Sequence, residues 1–281
     1  MSRLFAYMGN DQDRVKCALY PARKSLVADG AAKDTFDAWG LGFYQGGEVL
    51  LQRRPKPPTE PVDFYALVKD LRTDVIIGHV RQGTVGKPKN ENTHPFRFRS
   101  WLFAHHGTIP GFGPNFDSVR DELLRAIPDF LRRNIRGQTD SEHLFHVMLA
   151  FLHDAGKLDD MNVSTAQVRD AVRGALSLVE KAAGKEAADQ MECALALTNG
   201  RILVATRHGA PVYMQERSSL YDCAVCREPP PRDKRVDHEH LRSVLIIADV
   251  EAPAPDLKFT EVPDRTLISV SHDLKVEKSA L

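Results

Sequence analysis

Residue 2 of this chain is a serine, directly ahead of the apolar run Leu4-Phe5-Ala6-Tyr7 that reads as a β-strand. A small second residue permits removal of the initiator Met. Ser2 would then carry its hydroxyl and a free α-amine together, a nucleophile and a base joined covalently. The competing reading is the ordinary start of an edge strand. A second reactive set is Cys223-Ala-Val-Cys226 followed by His238-Glu-His240. Cys223, Cys226, His238 and His240 could hold a tetrahedral zinc, and H-x-H on a strand puts both rings on one side. Against this, the spacing departs from that of zinc fingers, and two reduced cysteines with two solvated histidines is the alternative. Cys17 and Cys193 lie in apolar runs and read as core. His143 and His146, three apart on a helix, read as packing or solvated.

The elements that must position these residues belong to an ordinary globule: 42% of 281 residues are hydrophobic, enough for a sizeable core in one large domain or two. Lys plus Arg equals Asp plus Glu at 38 each, so no bulk field draws the chain to nucleic acid or an anionic membrane. No apolar run approaches the ~20 residues of a spanning helix, and charges and glycines interrupt any signal-peptide pattern. The four cysteines are too scattered for a disulfide framework, and a reducing cytoplasm is the simplest setting.

After the first strand, residues 11–28 have helical spacing with a break expected at Pro21. Residues 39–51 read as a hairpin turning at Gly46-Gly47, residues 55–61 as a Pro-rich loop, and residues 63–71 as a short helix. Strand-like pieces follow at 75–80, 92–96 and 101–105. Three helices are expected at 116–133, 141–155 and 164–183, the second opening on Thr139-Asp140-Ser141-Glu142, an N-cap signature. Strands return at 194–197, 202–206, 212–214, 244–248 and 267–270. Residues 227–235 read as an irregular loop. There is no repeat or linker. Strands, then helices, then strands predict helices on the outer faces of packed sheets, an α+β fold.

Four segments carry a joint pattern: His79-Val-Arg-Gln-Gly-Thr-Val-Gly, Asn92-Thr-His-Pro-Phe, Phe103-Ala-His-His-Gly-Thr-Ile and Gly137-Gln-Thr-Asp-Ser-Glu. With the N-terminal strand and Trp39-Gly-Leu-Gly-Phe-Tyr, their order and spacing resemble the class II glutamine amidotransferases. The nearest branch is the small single-domain one that includes γ-glutamyl amidohydrolases of ergothioneine synthesis and glutathione breakdown. The resemblance is strongest from Ser2 to about Ala155 and fainter beyond, where residues 259–270 look like the closing strands. It implies one domain over residues 2–281, with the four-layer αββα sandwich of the N-terminal-nucleophile hydrolases. It implies that Arg81 grips the α-carboxylate of a glutamine-type ligand as a bidentate fork, helped by Thr84, and that Asp140 answers the α-ammonium. Asp140 also reads as a helix N-cap, and His94 as a structural histidine beside the pocket.

The pattern departs from the family at the reacting centre. The family nucleophile is a cysteine, a few per cent thiolate at neutral pH, whereas a serine hydroxyl is not ionised there and needs a base. The family's Asn-Gly oxyanion pair is here His106-Gly107, and His106 could donate to the oxyanion or act as a general base. The expected activity is hydrolysis of the side-chain amide of glutamine or a γ-glutamyl compound through Ser2, with His106 and Gly107 as the other catalytic residues and no cofactor. Structural zinc is the one metal the cysteines suggest. Transfer of ammonia would require a separate acceptor subunit. The alternative is a degenerate relative that binds a γ-glutamyl ligand or a protein partner without turnover.

Overall fold

Strand β1 (Arg3–Gly9) is buried along its length after Arg3, and its alternation divides the molecule. Leu4, Ala6 and Met8 enter one core, Phe5 and Tyr7 another. The computed structural model describes residues 3–28, 36–83, 86–113, 117–227, 236–248 and 253–281. Ser2 and Thr84 lie outside the described residues.

The remaining strands are β2 (Val27–Ala28), β3 (Ala38–Gln45), β4 (Glu48–Arg54), β5 (Val62–Asp63), β6 (Val75–Arg81), β7 (Phe96–Phe98), β8 (Trp101–Thr108), β9 (Glu192–Thr198), β10 (Leu203–Arg207), β11 (Val212–Arg217), β12 (Ser243–Ala248), β13 (Thr260–Glu261), β14 (Thr266–Val270) and β15 (Val276–Ala280). The helices are α1 (Val15–Leu19), α2 (Phe64–Val68), α3 (Asp117–Arg125), α4 (Asp129–Arg132), α5 (Asp140–Asp154), α6 (Thr165–Ala183) and α7 (Lys185–Ala188). A seven-stranded sheet runs β13-β11-β12-β1-β6-β3-β4 and a six-stranded sheet β15-β14-β10-β9-β8-β7, while β2 and β5 pair separately.

Between the two sheets lie Leu4, Ala6, Ile77, Ala104, Ala194, Ala196, Ala205, Ile246 and Ile268. The many alanines let two backbones' faces approach and interdigitate. The other face of the seven-stranded sheet carries Phe5, Ile76 and Ile247 under Leu19 of α1 and Phe64 of α2. The other face of the six-stranded sheet carries Phe103, Leu195 and Val204 under α3, α5 and α6. Phe103 and Phe145 of α5 stack at 5.3 Å between centroids. The result is a mixed fold of helices and antiparallel sheet, and no helix among the described residues is long and apolar enough to cross a membrane.

Several expectations hold closely. The 39–51 hairpin turns at Gly46 and Gly47, both at positive φ (61° and 81°), with Gln45 opposite Glu48. Ser164 caps α6 through a reciprocal capping box with Gln167. Others need correction. The expected helix over 11–28 is one turn of α1, a 3-10 turn at Arg23–Leu26 and the strand β2. Residues 92–95 are not a strand, which begins only at Phe96. The expected helix over 116–133 is two pieces separated at Pro128, whose ring cannot continue α3. Most of the expected 227–235 loop lies outside the described residues.

Candidate active site

The motif residues meet where β6 and β8 end. Arg3 of β1 opposes Val80, and Ala38 of β3 opposes Arg81, so three central strands of one sheet finish together. The Arg81 side chain is almost fully buried and forms an ion pair with Asp37. Its Nη2 also donates to the Gly86 carbonyl at 2.9 Å. Gly83 covers this pair, and a Cβ there would overlap both the guanidinium and the Asp37 carboxylate.

Behind Arg81 the rings of His79 and His94 lie 4.2 Å apart. Gly40 lets β3 press against the His94 carbonyl, which a Cβ would overlap. Burial, aided by neighbouring His106, His105 and Arg81, holds the His79 imidazole well below its ordinary range. Burial likewise lowers His94, with His79, His105, Arg81 and Arg53 adding to the effect. Both are therefore neutral rings at physiological pH.

The six-stranded sheet contributes β8. Its alternation sets Leu102 and Ala104 toward the other sheet and Trp101 and Phe103 toward the helices. By the same period His106 falls on the inter-sheet side and His105 on the α5 side. His105 Nδ1 is 3.1 Å from Ser141 Oγ, and that hydroxyl donates to Asp140 Oδ1 at 3.3 Å. A hydroxyl has one proton, so Nδ1 is the protonated ring nitrogen. Burial pulls the His105 pKa down to about 4 against the pull of Asp140. A neutral ring with its Nε2 lone pair free of any partner among the described residues results. Gly107 follows at φ 137°, where a side chain would overlap the Glu192 carbonyl, so only glycine fits.

Helix α5 brings Asp140. Its N-cap is Thr139, whose hydroxyl accepts from Glu142 N at 3.2 Å, and Asp140 is the first helical residue. The N-cap role expected of Asp140 thus moves one residue back. Asp140 Oδ2 accepts from Ile109 N at 2.9 Å, and Oδ1 from Ser141 N at 2.8 Å. The turn before α5 is fixed from two sides. Glu142 accepts from Arg136 N and Gly137 N at 3.0 and 2.6 Å, and Asn92 Oδ1 accepts from Gln138 N at 2.9 Å. Asn92 Nδ2 in turn donates to Lys87 O at 2.8 Å, tying the loop after Arg81 to the start of α5.

Arg81, Gly107 and Asp140 therefore line one pocket with His79, His94 and His105, a narrow one with a cavity volume of ≈ 20 Å³. His106 is half-buried beside it. Larger hollows, such as one lined by Arg53, Arg97 and Arg136, gather none of Arg81, Gly107 and Asp140. Sequence reasoning missed Asp37, His105 and Ser141. The last two stood inside the motifs, and His105 was overshadowed by the departure at His106. The cysteine set is also revised. His240 is exposed and outside the cluster, and buried Cys17 joins Cys223, Cys226 and His238 instead.

Residues 1–244 match the family model of the glutamine amidotransferases class-II, and the chain belongs to that family. A probable glutamine amidotransferase of Saccharomyces cerevisiae, DUG3, is 25% identical over 250 residues, covering 83% of this chain and 69% of that protein. The γ-glutamyl-hercynylcysteine sulfoxide hydrolase of Mycobacterium tuberculosis is 34% identical over 99 residues, 34% of this chain and 42% of its own length. A glutamine aminotransferase class-II domain protein from Silicibacter pomeroyi superposes with a TM-score of 0.57 at 18% identity, covering 99% of this chain and 98% of that one. At that identity the likeness speaks for the fold: this is a mixed α/β fold similar to those of class II amidotransferases.

Proposed function

We propose that this protein is an amidohydrolase of the small γ-glutamyl branch, folded over residues 2–281 as one four-layer αββα domain. It cleaves the side-chain amide of glutamine or a γ-glutamyl compound through Ser2, in a reducing cytoplasm and without a cofactor. The observation that carries this reading is the convergence of Arg81, Gly107 and Asp140 at one pocket, beside the end of β1 that Ser2 immediately precedes in sequence.

In the proposed reaction Ser2 Oγ attacks the amide carbon while its proton passes to the α-amine. The carbonyl π pair moves to oxygen, where the Gly107 N–H and the His106 ring stabilise it. Collapse re-forms the carbonyl and breaks the C–N bond, and the leaving nitrogen takes the proton from the α-ammonium. Water, deprotonated by the same amine, then hydrolyses the γ-glutamyl ester. Arg81 and Asp140 hold the amino-acid end throughout, with Thr84 beside the carboxylate. Transfer of the released ammonia would need a separate acceptor subunit.

One observation favours a second reading, a binder without turnover. The Arg81 guanidinium is engaged by Asp37, and Asp140 by Ile109 and Ser141, so the ligand-holding groups are satisfied internally. Intact mass of the protein from its native host, followed by ammonia release from wild type and Ser2→Ala, separates the two. Loss of Met1 with Ser2-dependent ammonia release supports the enzyme. Retained Met1, or equal background release by both proteins, leaves the binder.

A further inference from the structure

We propose that Cys17, Cys223, Cys226 and His238 hold a zinc ion that staples the excursion between β11 and β12 onto helix α1. One ligand atom from each of the four residues lies within 4.8 Å of all the others. Cys17 Sγ is 3.5 Å from Cys226 Sγ, and Cys226 Sγ is 3.4 Å from His238 Nε2. A tetrahedral zinc with ordinary bond lengths has S···S edges of about 3.8 Å and S···N edges of about 3.6 Å. These two separations lie within about 0.3 Å of those edges. They are also far longer than an S–S bond of about 2.05 Å, and all four cysteines are free thiols.

The ligands come from three separate places in the chain. Cys17 sits on α1, the C-x₂-C pair sits in a turn where Arg227 N donates to Cys223 O at 3.1 Å, and His238 lies on an isolated bridge with Leu220. Cys223 N donates to Val236 O at 2.8 Å, bringing the two halves of the excursion together. Residues 218–242 hold no helix among those described, and their only strand-like pairing is that bridge. A structural metal is a source of order for a segment with so little regular structure among its described residues.

The surroundings suit three thiolates. Zinc with three thiolates and a neutral imidazole carries one net negative charge, and Arg14 Nη1 stands 3.6 Å from Cys226 Sγ to balance it. A bound zinc deprotonates its thiol ligands outright. Cys17 and Cys223 also belong to the apolar cluster under the seven-stranded sheet, which shields the site from solvent.

The test uses untagged full-length protein grown with zinc and purified without chelators. Elemental analysis should find about one zinc per chain. Refolding with cobalt(II) alone should give thiolate-to-cobalt charge transfer and the intense visible bands of a tetrahedral ion. Cys17→Ser should lose the metal and His240→Ala should keep it, which distinguishes this set from the C-x₂-C/H-x-H set. Wild-type protein with neither zinc nor the cobalt spectrum overturns the proposal, as does a disulfide among the three thiols by mass. Metal retained by Cys17→Ser, or lost by His240→Ala, overturns the ligand set. Wild-type metal content and spectrum decide the question should Cys17→Ser fail to fold.

Discussion

Arg81 and Asp37 form an ion pair in which the guanidinium is 4% exposed and the carboxylate 26%. The pair joins the last residue of β6 to the residue just ahead of β3, and Asp37 N donates to Arg81 O at 3.0 Å as well. Removing one member of a buried pair strands the other. Arg81→Ala should therefore destabilise the fold by about 2 kcal/mol, a value reduced because Asp37 reaches water. Urea unfolding measures this. The same variant should weaken glutamine binding in titration calorimetry, and unchanged affinity would remove Arg81 from the ligand pocket.

The histidines behind that pair make stability fall in acid. His79, His94 and His105 titrate near ~6.5 when unfolded but far lower when folded, His105 at about 4. Below pH ~6.5 the unfolded chain thus binds more protons than the folded one, and stability is lost as pH falls. Each such ring removes about 1.4 kcal/mol per pH unit, so the three together should cost about 4 kcal/mol between pH 7.5 and 5.5. The ring nitrogens of His94 are buried without hydrogen-bond partners among the described residues, and His79, His105, Arg81 and Arg53 are the titratable groups that act on it. His94→Phe should flatten the urea-derived profile by about 1.4 kcal/mol between pH 7.5 and 5.5. A profile identical to wild type would show that His94 does not contribute.

What could be read from the chain follows physical range. The Gly46-Gly47 turn was plain because two positive φ angles need that dipeptide. The α3/α4 break was hidden because apolar spacing continues through Pro128, with Val119, Leu123, Ile127 and Leu131 all buried in one core. Strand β15 was missed because Val276-Glu-Lys-Ser-Ala280 is a polar edge with almost no apolar face. Arg81 and Asp140 stood out through motif spacing. Asp37 carries no motif, so its claim on Arg81 appears only in three dimensions. Cys17 read as core, and it is buried, yet its sulfur faces that of Cys226, 209 positions away in sequence.

Chelation offers a direct readout of the proposed staple. A metal present at about a thousand times its Kd contributes about 4 kcal/mol to stability, roughly 10 °C in melting temperature for a protein of this size. A strong zinc chelator should lower the melting temperature by that order, added zinc should restore it, and calcium should not. His240→Ala should respond as wild type does. A melting temperature indifferent to chelator in zinc-loaded protein would deny the metal a structural role.

The reacting centre can be tested by restoring the family's pair. Ser2→Cys supplies a nucleophile that is a few per cent thiolate at neutral pH. His106→Asn replaces a ring with a planar amide next to Gly107, whose own position is forced by φ 137° and the Glu192 carbonyl. The amide N–H can donate to the oxyanion in the plane of its own carbonyl, where the ring's reach differs. The double variant should release ammonia from glutamine faster than wild type. Both changes act on one tetrahedral intermediate, so the single variants should not multiply to the double. Expected is a rise that vanishes when Arg81→Ala is added, because the ligand is then no longer held. If Met1 is removed and glutamine binds, but the double variant is no faster than Ser2→Ala, then the pocket does not place an amide carbon at residue 2.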